Sequence, residues 1–480
     1  MAREDWEAVI GLEIHAQLAT ESKIFCGAPT TFGDGPNLNI DPVTLGLPGT
    51  LPVLNRRVVE LAIRLGLALG SEIDRASRFA RKHYFYPDLP KGYQISQFDE
   101  PICVGGQVTC DVDGVEKTFR LTRIHLEEDA GKNVHDPVTG RSYIDLNRAG
   151  VPLVEIVGEP DLRSADDAVA YMKAVHQVVV ALGVSDGNME KGNFRCDANV
   201  SVRRRGVETL TTRTEIKNVN SFRFVGRALE YEIARQIALL EEGGTVVQET
   251  RGWDDDKGVT RSQRGKEEAH DYRYFPDPDL MVVQVDEALV EALRAALPEL
   301  PRARMKRFER ELGLSPYDAD VLTQSAARAD YFEAVAGAVV DPKLAANWIM
   351  GELLASLNRD GKDIEATPVS AAALAELIGL IEAGTISSKM AKGCFQAMVS
   401  DGVAPKAWVA RHGGQITDEG AILGAVEAVL DQSSAQVAEY LCGKEKVIGF
   451  LVGQVMKATR GKANPQQVNE TLRAALEARR

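Results

Sequence analysis

The sequence predicts an α+β fold, in which a domain built on an antiparallel sheet with flanking helices precedes an all-α region. Residues 1–290 mix strand patterns, turns and a few capped helices, whereas residues 291–480 have helical patterns almost throughout. A chain of 480 residues is too long for a single core and should divide into about three domains. We place them at residues 1–290, 291–405 and 406–480, with the second boundary close to Gly413-Gly414.

The composition is that of an ordinary globular protein, with 44% apolar and 26% charged residues. No apolar run approaches the roughly 20 residues that span a bilayer. The acidic N-terminus lacks the features of a secretory or transit peptide, so we expect a cytoplasmic protein with no membrane partner. Six cysteines without a C-x-x-C pair argue against a zinc ribbon or a disulfide framework. The net charge of −14 argues against a general nucleic-acid-coating surface but is compatible with local basic patches.

Capping residues predict three helices in the first region. These helices span residues 55–70, 164–183 and 221–243, and each begins at an Asn or Ser and ends at a Gly. Similar helix starts recur in the all-α region, at Ser315, Asp341, Ser370, Ser387, Thr417 and Asn464.

Two hairpins are predicted between these helices. The strand patterns at 107–112 and 115–121 are joined by Asp113-Gly114, a pair typical of a two-residue hairpin turn. Residues 136–140, Asp-Pro-Val-Thr-Gly, are typical of a second turn, which leads into a strand at 142–147.

The predicted strand at residues 9–18 places a carboxylate and an imidazole on one face. Because successive side chains of a strand point to opposite faces, Glu13, His15 and Gln17 share one face and the apolar residues between them share the other. Glu13 and His15 are half of a site for a hard metal ion or for acid–base chemistry. The alternative is a solvated strand face, and the choice depends on whether the rest of the chain supplies the other half.

Three further strands repeat this pattern. Their polar residues are Tyr143, Asp145 and Asn147 in the first, Arg195, Asp197, Asn199 and Ser201 in the second, and Arg213, Glu215 and Lys217 in the third. A merely solvated face usually carries Thr, Lys and Glu, whereas Asp and Asn disfavour strands. Residues that conflict with local propensity are candidates for function, so the four strands predict a sheet whose polar face lines a cavity.

Glu127, Glu128 and Asp129 form three consecutive acids at the end of an apolar strand. Repulsion between neighbouring carboxylates favours a bound cation, and a solvated acidic turn is the alternative. The aromatic and basic segment at 82–94 suits a loop that contacts a nucleotide or a nucleic-acid end, or else a small aromatic core under a long loop. His125 has no paired ligand in the sequence and is not included.

The usual phosphate-binding and hydrolase motifs are absent from the sequence. There is no G-x-x-x-x-G-K-[ST], no strand-linked G-x-G-x-x-G, no kinase signature set, no G-x-S-x-G and no H-E-x-x-H. If the chain binds phosphates, then arginine, lysine and a metal ion must hold them.

Several stretches are long enough to be characteristic of a known family. They are residues 11–18, 82–97, 143–161, 192–203, 213–222, 258–280 and 456–464, including Tyr-Phe-Pro-Asp-Pro-Asp-Leu at 274–280. Together they resemble the B subunit of the GatCAB aspartyl/glutamyl-tRNA amidotransferases, the GatB/GatE family, along essentially the whole chain. The resemblance implies a cradle-like N-terminal kinase domain, a helical domain and a small all-α YqeY-like tail domain.

The resemblance also implies a carbon–nitrogen ligase component that works in a heterotrimer with subunits A and C. The B subunit of this family binds misacylated Glu-tRNA(Gln), Asp-tRNA(Asn) or both, and uses ATP to phosphorylate the side-chain carboxylate. Ammonia that the A subunit releases from glutamine then displaces the phosphate to give the amide. Phosphoryl transfer between anions needs charge neutralisation and alignment, which Mg²⁺ with Arg and Lys supplies.

Site residues follow from the resemblance position by position. The family's magnesium site corresponds to Glu13, His15 and Glu128, with Glu127 beside it and Glu215 as a further ligand. The residues expected to be catalytic are Glu13, His15, Glu128, Asp197 and Lys217, and those expected to contact ATP or the aminoacyl group are Lys82, Ser96, Arg148 and Arg195.

One stretch departs from the family pattern. Many members carry a four-cysteine zinc site in the part that corresponds to residues 24–54, where this chain has only Cys26. One thiolate cannot complete a tetrahedral site, so we expect no zinc. Pro29, Pro36, Pro42 and Pro48 would stiffen the loop instead.

A basic patch lies in the tail. Residues 441–480 hold eight basic residues and three acids, a local charge of +5 in a chain of −14. Lys457, Arg460 and Lys462 are therefore predicted to contact tRNA phosphates, as the tail domain of the family does. A solvated helix pair is the alternative.

Two other functions remain alternatives. One is the archaeal-type E subunit of Glu-tRNA(Gln) amidotransferase, which normally carries an inserted domain and is longer than this chain. The other is a non-catalytic tRNA-binding scaffold, which would not require Glu13, His15 and Glu128 together.

Overall fold

The computed structural model describes residues 5–264, 272–416, 418–459 and 461–479. The chain forms two compact units, residues 1–302 and 303–480. No described helix combines the length and the apolar character needed to cross a membrane.

The strands that the structure describes all belong to the first unit. They are β1 Trp6–Gln17, β2 Glu72–Ile73, β3 Ala76–Ser77, β4 Ala80–His83, β5 Tyr93–Ser96, β6 Cys103–Val104, β7 Gln107–Val112, β8 Val115–Glu128, β9 Lys132–His135, β10 Ser142–Asp145, β11 Pro152–Gly158, β12 Phe194–Arg204, β13 Thr214–Lys217, β14 Thr250–Asp254, β15 Val259–Arg264, β16 Phe275–Pro276 and β17 Val283–Gln284.

Helices are few in the first unit and make up almost all of the second. They are α1 Arg56–Ala68, α2 Ala165–Ala181, α3 Phe222–Glu241, α4 Glu287–Ala295, α5 Pro301–Leu312, α6 Pro316–Thr323, α7 Ala326–Ala336, α8 Pro342–Trp348, α9 Leu354–Asp360, α10 Ala371–Glu382, α11 Ser388–Asp401, α12 Pro405–His412, α13 Glu419–Gln432, α14 Ser434–Leu441, α15 Ile448–Ala458 and α16 Pro465–Glu477. A short π-helix at Ile349–Leu353 joins α8 to α9.

One sheet of 13 strands organises the described part of the first unit. Its main path runs β15-β14-β13-β12-β1-β11-β8-β5-β4-β16, with β6 and β7 also beside β8 and β2 beside β6. The neighbours pair antiparallel, as predicted, except for the parallel pair β13–β14. β1 therefore lies between β11 and β12 near the middle of the path.

The two faces of β1 differ as the alternation predicts. Leu12, Ile14 and Ala16 are all 0% exposed and belong to one large hydrophobic core, to which α1, α2 and α3 contribute their apolar sides. The intervening Glu13, His15 and Gln17 lie on the other face and are only partly buried. Packing of helices on one face alone leaves the other face free to carry polar groups.

Capping residues predicted the helix starts correctly. The N-cap side chains of α1, α2 and α3 each accept a hydrogen bond from a backbone N–H two or three residues later. The same bond forms at the other predicted starts that the structure describes, Ser315, Asp341, Ser370, Ser387 and Asn464. The predicted start at Thr417 lies outside the described residues, and Asp418 caps α13.

The first predicted hairpin is confirmed. β7 and β8 are joined by Asp113 and Gly114, whose φ angles of +52° and +78° are both positive. Positive φ at both central residues is the requirement of a type I′ turn, which the Asp-Gly pair meets.

Two expectations about polar strands are wrong. Arg213 precedes β13 and is not part of it. The strand at 142–147 becomes β10, which pairs with β9 in a separate two-stranded sheet and so does not extend the large polar face. Its Asp145 and the following Asn147 instead accept hydrogen bonds from the backbone N–H groups of Asn37 and Asn39, because the loop at 35–39 crosses here.

The described residues of the second unit form two separate hydrophobic clusters. One lies among residues 308–398 and includes the edge-to-face pair Phe308 and Phe332, and the other lies among residues 422–476. The predicted domain boundary at residue 405 falls between these clusters and stays a prediction.

Candidate active site on the polar face of the sheet

A first cluster of metal-binding side chains forms where β1, β8 and β11 lie side by side. His15 Nε2 lies 3.5 Å from Glu127 Oε1 and 3.4 Å from Glu155 Oε2. The strand register brings them together, because Glu155 is the direct partner of His15 across β1 and β11. One ligand atom from each of the three residues lies within 4.8 Å of the others, so one ion could bind all three.

A second cluster lies on the other side of β1. Glu13, from β1, meets Asp197 of β12 and Glu215 of β13, again with ligand atoms within 4.8 Å of one another. Asn199 donates a hydrogen bond of 3.0 Å to Glu13 Oε1. Lys217 Nζ lies 2.8 Å from Asp197 and 3.1 Å from Glu215. The two clusters are therefore neighbours that share one strand.

The electrostatics of these clusters show an excess of negative charge. Burial raises the pKa of Glu13, and the nearby Glu155 and Asp197 raise it further. Burial alone would lower the pKa of His15, but the carboxylates of Glu155 and Glu127 outweigh it and raise the pKa to about 9. Like charges held this close destabilise one another, so a bound cation would relieve them.

Basic side chains border both clusters. Lys82 of β4 lies 4.6 Å from the ring centre of Tyr272, and although burial opposes its charge, Glu127 raises its pKa. Burial likewise opposes the charge of Lys217, but Asp197 and Glu215 raise its pKa well above the ordinary value. Arg195 of β12 is the register partner of His15. Ser96 of β5 pairs with Glu127, although its hydroxyl is 3.5 Å from the carboxylate and the hydrogen bond is weak.

Glu128 lies outside both clusters. Since it follows Glu127 on a strand, its side chain points to the opposite face. There it is 2% exposed, accepts a hydrogen bond of 2.8 Å from the backbone N–H of Ile95 and pairs with Lys91. The geometry thus favours Glu155 over Glu128 as the third ligand with His15 and Glu127.

Arg148 is also committed elsewhere. Its Nε and Nη2 each donate a hydrogen bond of 2.7 Å to a backbone carbonyl, those of Ala130 and Gly131. The guanidinium group therefore holds a turn and does not face the two clusters with its full set of donors.

Sequence reasoning missed Glu155 and His125. His125 Nε2 lies 3.2 Å from Glu155 Oε2, and His125 with His15 holds the pKa of Glu155 well below its ordinary value despite burial. A signal was present, because each is a single polar residue inside an apolar strand segment, at Val154-Glu155-Ile156 and Ile124-His125-Leu126. The pairing of β8 with β11, which sequence periodicity does not show, brings them together.

The loop that corresponds to the family's zinc site is tied by hydrogen bonds. Cys26 is half-buried, with its Sγ 3.6 Å from Thr44 Oγ1. Lys23, which is 0% exposed, donates a hydrogen bond of 2.6 Å to the carbonyl of Asn39. The expectation of no zinc stays a prediction.

The predicted tRNA contacts lie in the second unit. Lys457 is exposed near the end of α15, and Lys462 Nζ donates to the carbonyl of His412. Arg460 lies outside the described residues.

Comparison with known proteins identifies the family to which the chain is similar. The profile of the GatB/GatE catalytic domain matches residues 8–291, and that of the GatB domain matches residues 330–476. A protein of Thioalkalivibrio sulfidiphilus, named as the B subunit of an aspartyl/glutamyl-tRNA(Asn/Gln) amidotransferase, is 56% identical over 98% of this chain and 100% of its own length. The chain belongs to the amidotransferase B-subunit family.

Other members of the B-subunit family are equally similar along the whole chain. Proteins of the same name from Geotalea daltonii and Myxococcus xanthus are 58% and 54% identical, over 98% and 99% of this chain and 98% and 100% of theirs. These full-length matches favour the B subunit over the archaeal-type E-subunit alternative. Both clusters lie within the part that the catalytic-domain profile matches.

Proposed function

We propose that this chain is the B subunit of a cytoplasmic, glutamine-dependent aspartyl/glutamyl-tRNA amidotransferase and works with subunits A and C. Its polar face would use ATP to phosphorylate the side-chain carboxylate of misacylated Glu-tRNA(Gln), Asp-tRNA(Asn) or both. The observation that carries the proposal is the pair of acidic clusters on either side of β1, bordered by Lys82, Lys217 and Arg195. A tRNA-binding scaffold would have no use for this crowding of like charges, which costs stability.

The carboxylate oxygens of both clusters suit Mg²⁺, a hard cation that prefers oxygen ligands, whereas the imidazole of His15 is a softer donor that must lose its proton before it binds an ion. The residues that would hold two ions are His15, Glu127 and Glu155 for one, and Glu13, Asp197 and Glu215 for the other. Bound Mg²⁺ supplies charge neutralisation on phosphate oxygens during phosphoryl transfer.

The protein's own cations would bind and orient the reacting anions. Lys82, Lys217 and Arg195 would hold the phosphates of ATP and the substrate carboxylate in line. A carboxylate oxygen then forms a bond to the γ-phosphorus while the bond from that phosphorus to ADP breaks. The nitrogen of ammonia, delivered from the amidase component of the complex, bonds to the acyl carbon, loses a proton and displaces phosphate, which leaves the amide.

The test is ATP-dependent amidation of Glu-tRNA(Gln) and Asp-tRNA(Asn) by the complex reconstituted with subunits A and C. We expect His15→Ala and Glu155→Gln to lower the rate by at least about 100-fold, a loss typical of removing an electrostatic catalytic group. Glu242→Gln, an exposed change at the end of α3, is the matched control and should act like wild type. Full activity of the cluster variants would reject the site, and a wild-type complex without ATP-dependent amidation would reject the function.

We propose in addition that the tail grips the tRNA backbone through Lys457, Arg460 and Lys462. Replacing all three with alanine should weaken tRNA binding. The slope of the logarithm of the affinity against the logarithm of the salt concentration should become shallower by roughly 0.7 to 0.9 for each lost phosphate contact. Filter binding across a salt series measures both quantities. An unchanged affinity at moderate salt would reject these contacts.

A further inference from the structure

A buried carboxylate beyond the two clusters, Asp129, contacts an arginine and a glutamine. Asp129 follows β8 and is 3% exposed. Its Oδ1 accepts a hydrogen bond of 3.0 Å from Arg195 Nη2, and its Oδ2 accepts one of 2.9 Å from Gln17 Nε2. Its backbone N–H donates to the carbonyl of Val151 and its own carbonyl accepts from Gly150, so the residue is held at both ends.

Two arginines flank this carboxylate, and they differ in how many of their hydrogen-bond donors remain without an acceptor. Arg148 Nε lies 3.6 Å from Asp129, but its Nε and Nη2 already donate to the carbonyls of Ala130 and Gly131. Among the described residues, the one hydrogen-bond partner of the Arg195 guanidinium is Asp129, and its Nε is buried without a partner. A third of the Arg195 side chain, 33%, remains exposed.

A buried N–H donor without an acceptor is costly and points to a missing partner. The planar guanidinium fork matches two oxygens of a phosphate or a carboxylate. Arg195 lies on the polar face, next to Asp197 on β12 and across from His15 on β1. Arg64, Arg304 and Arg328 also have a buried Nε without a partner, so it is the position of Arg195 beside the two clusters that points to an oxyanion bound there.

We propose that Asp129, itself held by Gln17, is a positioning residue that fixes Arg195 as an oxyanion-binding group of the polar face. The inference rests on the proposed function, in which the oxyanion is either a phosphate of ATP or the carboxylate of the aminoacyl group. Without Asp129, the carboxylates of Glu127 and Asp197, which also attract Arg195, would compete with the ligand for the guanidinium. The hydrogen bond from Arg195 Nη2 to Asp129 fixes the orientation of the guanidinium group, so its remaining N–H donors keep a constant direction.

The test is a double-mutant cycle in the complex reconstituted with subunits A and C. Arg195→Ala and Asp129→Ala should each lower kcat/KM for amidation by about 100-fold, and the double variant should be no worse than Arg195→Ala. A rise in the KM for ATP alone would identify the oxyanion as a phosphate, whereas a rise in the KM for the aminoacyl-tRNA alone would identify the carboxylate. Additive losses in the double variant would overturn the positioning role.

Guanidinium ion gives a second readout that a purely structural role would not move. Added guanidinium should partly restore Arg195→Ala and should restore the double variant much less, because Asp129 binds it. Arg148→Ala is the matched control. It should lower the melting temperature of the complex, and added guanidinium should not raise its amidation rate. If Asp129→Ala does not assemble with subunits A and C, Asp129→Asn is used instead and should act through Arg195 in the same cycle. An inactive wild-type complex would reject the proposed function, while equal rescue of both variants in an active complex would overturn only this inference.

Discussion

Glu127 and Glu128 are neighbours with the same chemistry, yet they belong to two different regions of the molecule. Glu127 lies on the polar face with His15 and Glu155. Glu128 lies on the opposite face, in a loop anchor that we define as Lys23, Lys91, Glu128, Asn39 and Asn147. Both regions bury charge, so burial alone does not separate a site from a structural cluster.

The difference is in how the charges are balanced. In the loop anchor, the ammonium of Lys23 meets backbone carbonyls, and the carboxylate of Glu128 meets a lysine and a backbone N–H. On the polar face, each cluster holds two or three carboxylates, and the cations of His15 and Lys217 balance them only in part. A balanced cluster stabilises the fold, whereas an unbalanced one stores repulsion that a ligand can relieve.

The strongest test of this comparison is Glu127→Gln. The change keeps the size of the side chain but removes a ligand atom's charge, so amidation by the reconstituted complex should fall by at least about 100-fold. Glu127 faces the carboxylate of Glu155 but also the cations of His15 and Lys82, so lost repulsion and lost attraction oppose each other, and the free energy of unfolding should change by no more than about 1 kcal/mol. Urea melts and the amidation rate measure the two effects, and a destabilised but fully active variant would contradict both.

Glu128→Gln should show the opposite behaviour. It leaves Lys91 without its charge partner, so the free energy of unfolding should fall by about 1–3 kcal/mol. The rate per folded molecule should stay within about tenfold of wild type, since the polar face is intact. If the stability is unchanged and Mg²⁺-dependent activity is lost as in Glu127→Gln, Glu128 is a metal ligand and our assignment to the loop anchor is wrong.

Lys23 allows a smaller test through pH. Burial lowers its pKa to about 8, below the ordinary 10.5 of the unfolded chain. Between these values the unfolded state binds more protons, so this group makes the free energy of unfolding rise with pH, by at most about 1.4 kcal/mol per pH unit.

Lys23→Met removes this contribution. The free energy of unfolding of wild type minus that of Lys23→Met should therefore increase between about pH 7.5 and 9.5, while the other groups titrate alike in both proteins. Urea melts of the two proteins at both pH values measure it. A difference that does not change with pH would show that burial does not lower the pKa of Lys23.

Local patterns predicted most of the fold. Alternation along β1 separated Ile14 from Glu13 and His15, and the structure confirms it with Ile14 fully buried. Caps and the Asp113-Gly114 turn were equally readable, because each depends only on residues that are close in the chain.

Long-range pairing explains what the sequence did not predict in the candidate site. Glu155 joins His15 because β11 pairs with β1, and periodicity within one strand cannot show which strand lies next to it. The separation of Glu127 from Glu128, by contrast, was available from alternation, once β8 is continued to residue 128. Interpreting residues 127–129 as one acidic cluster overlooks that Glu127 and Glu128 point to opposite faces.

β1 contributes one residue to each acidic cluster, and this has a consequence for the history of the protein. Glu13 and His15 are two residues apart, about 7 Å along the strand, and between them Ile14 holds the core. Inserting or deleting one residue here would exchange the two faces, sending carboxylates into the core and aliphatic side chains among the substrates. Over evolution, β1 therefore tolerates amino-acid substitutions far more readily than insertions or deletions.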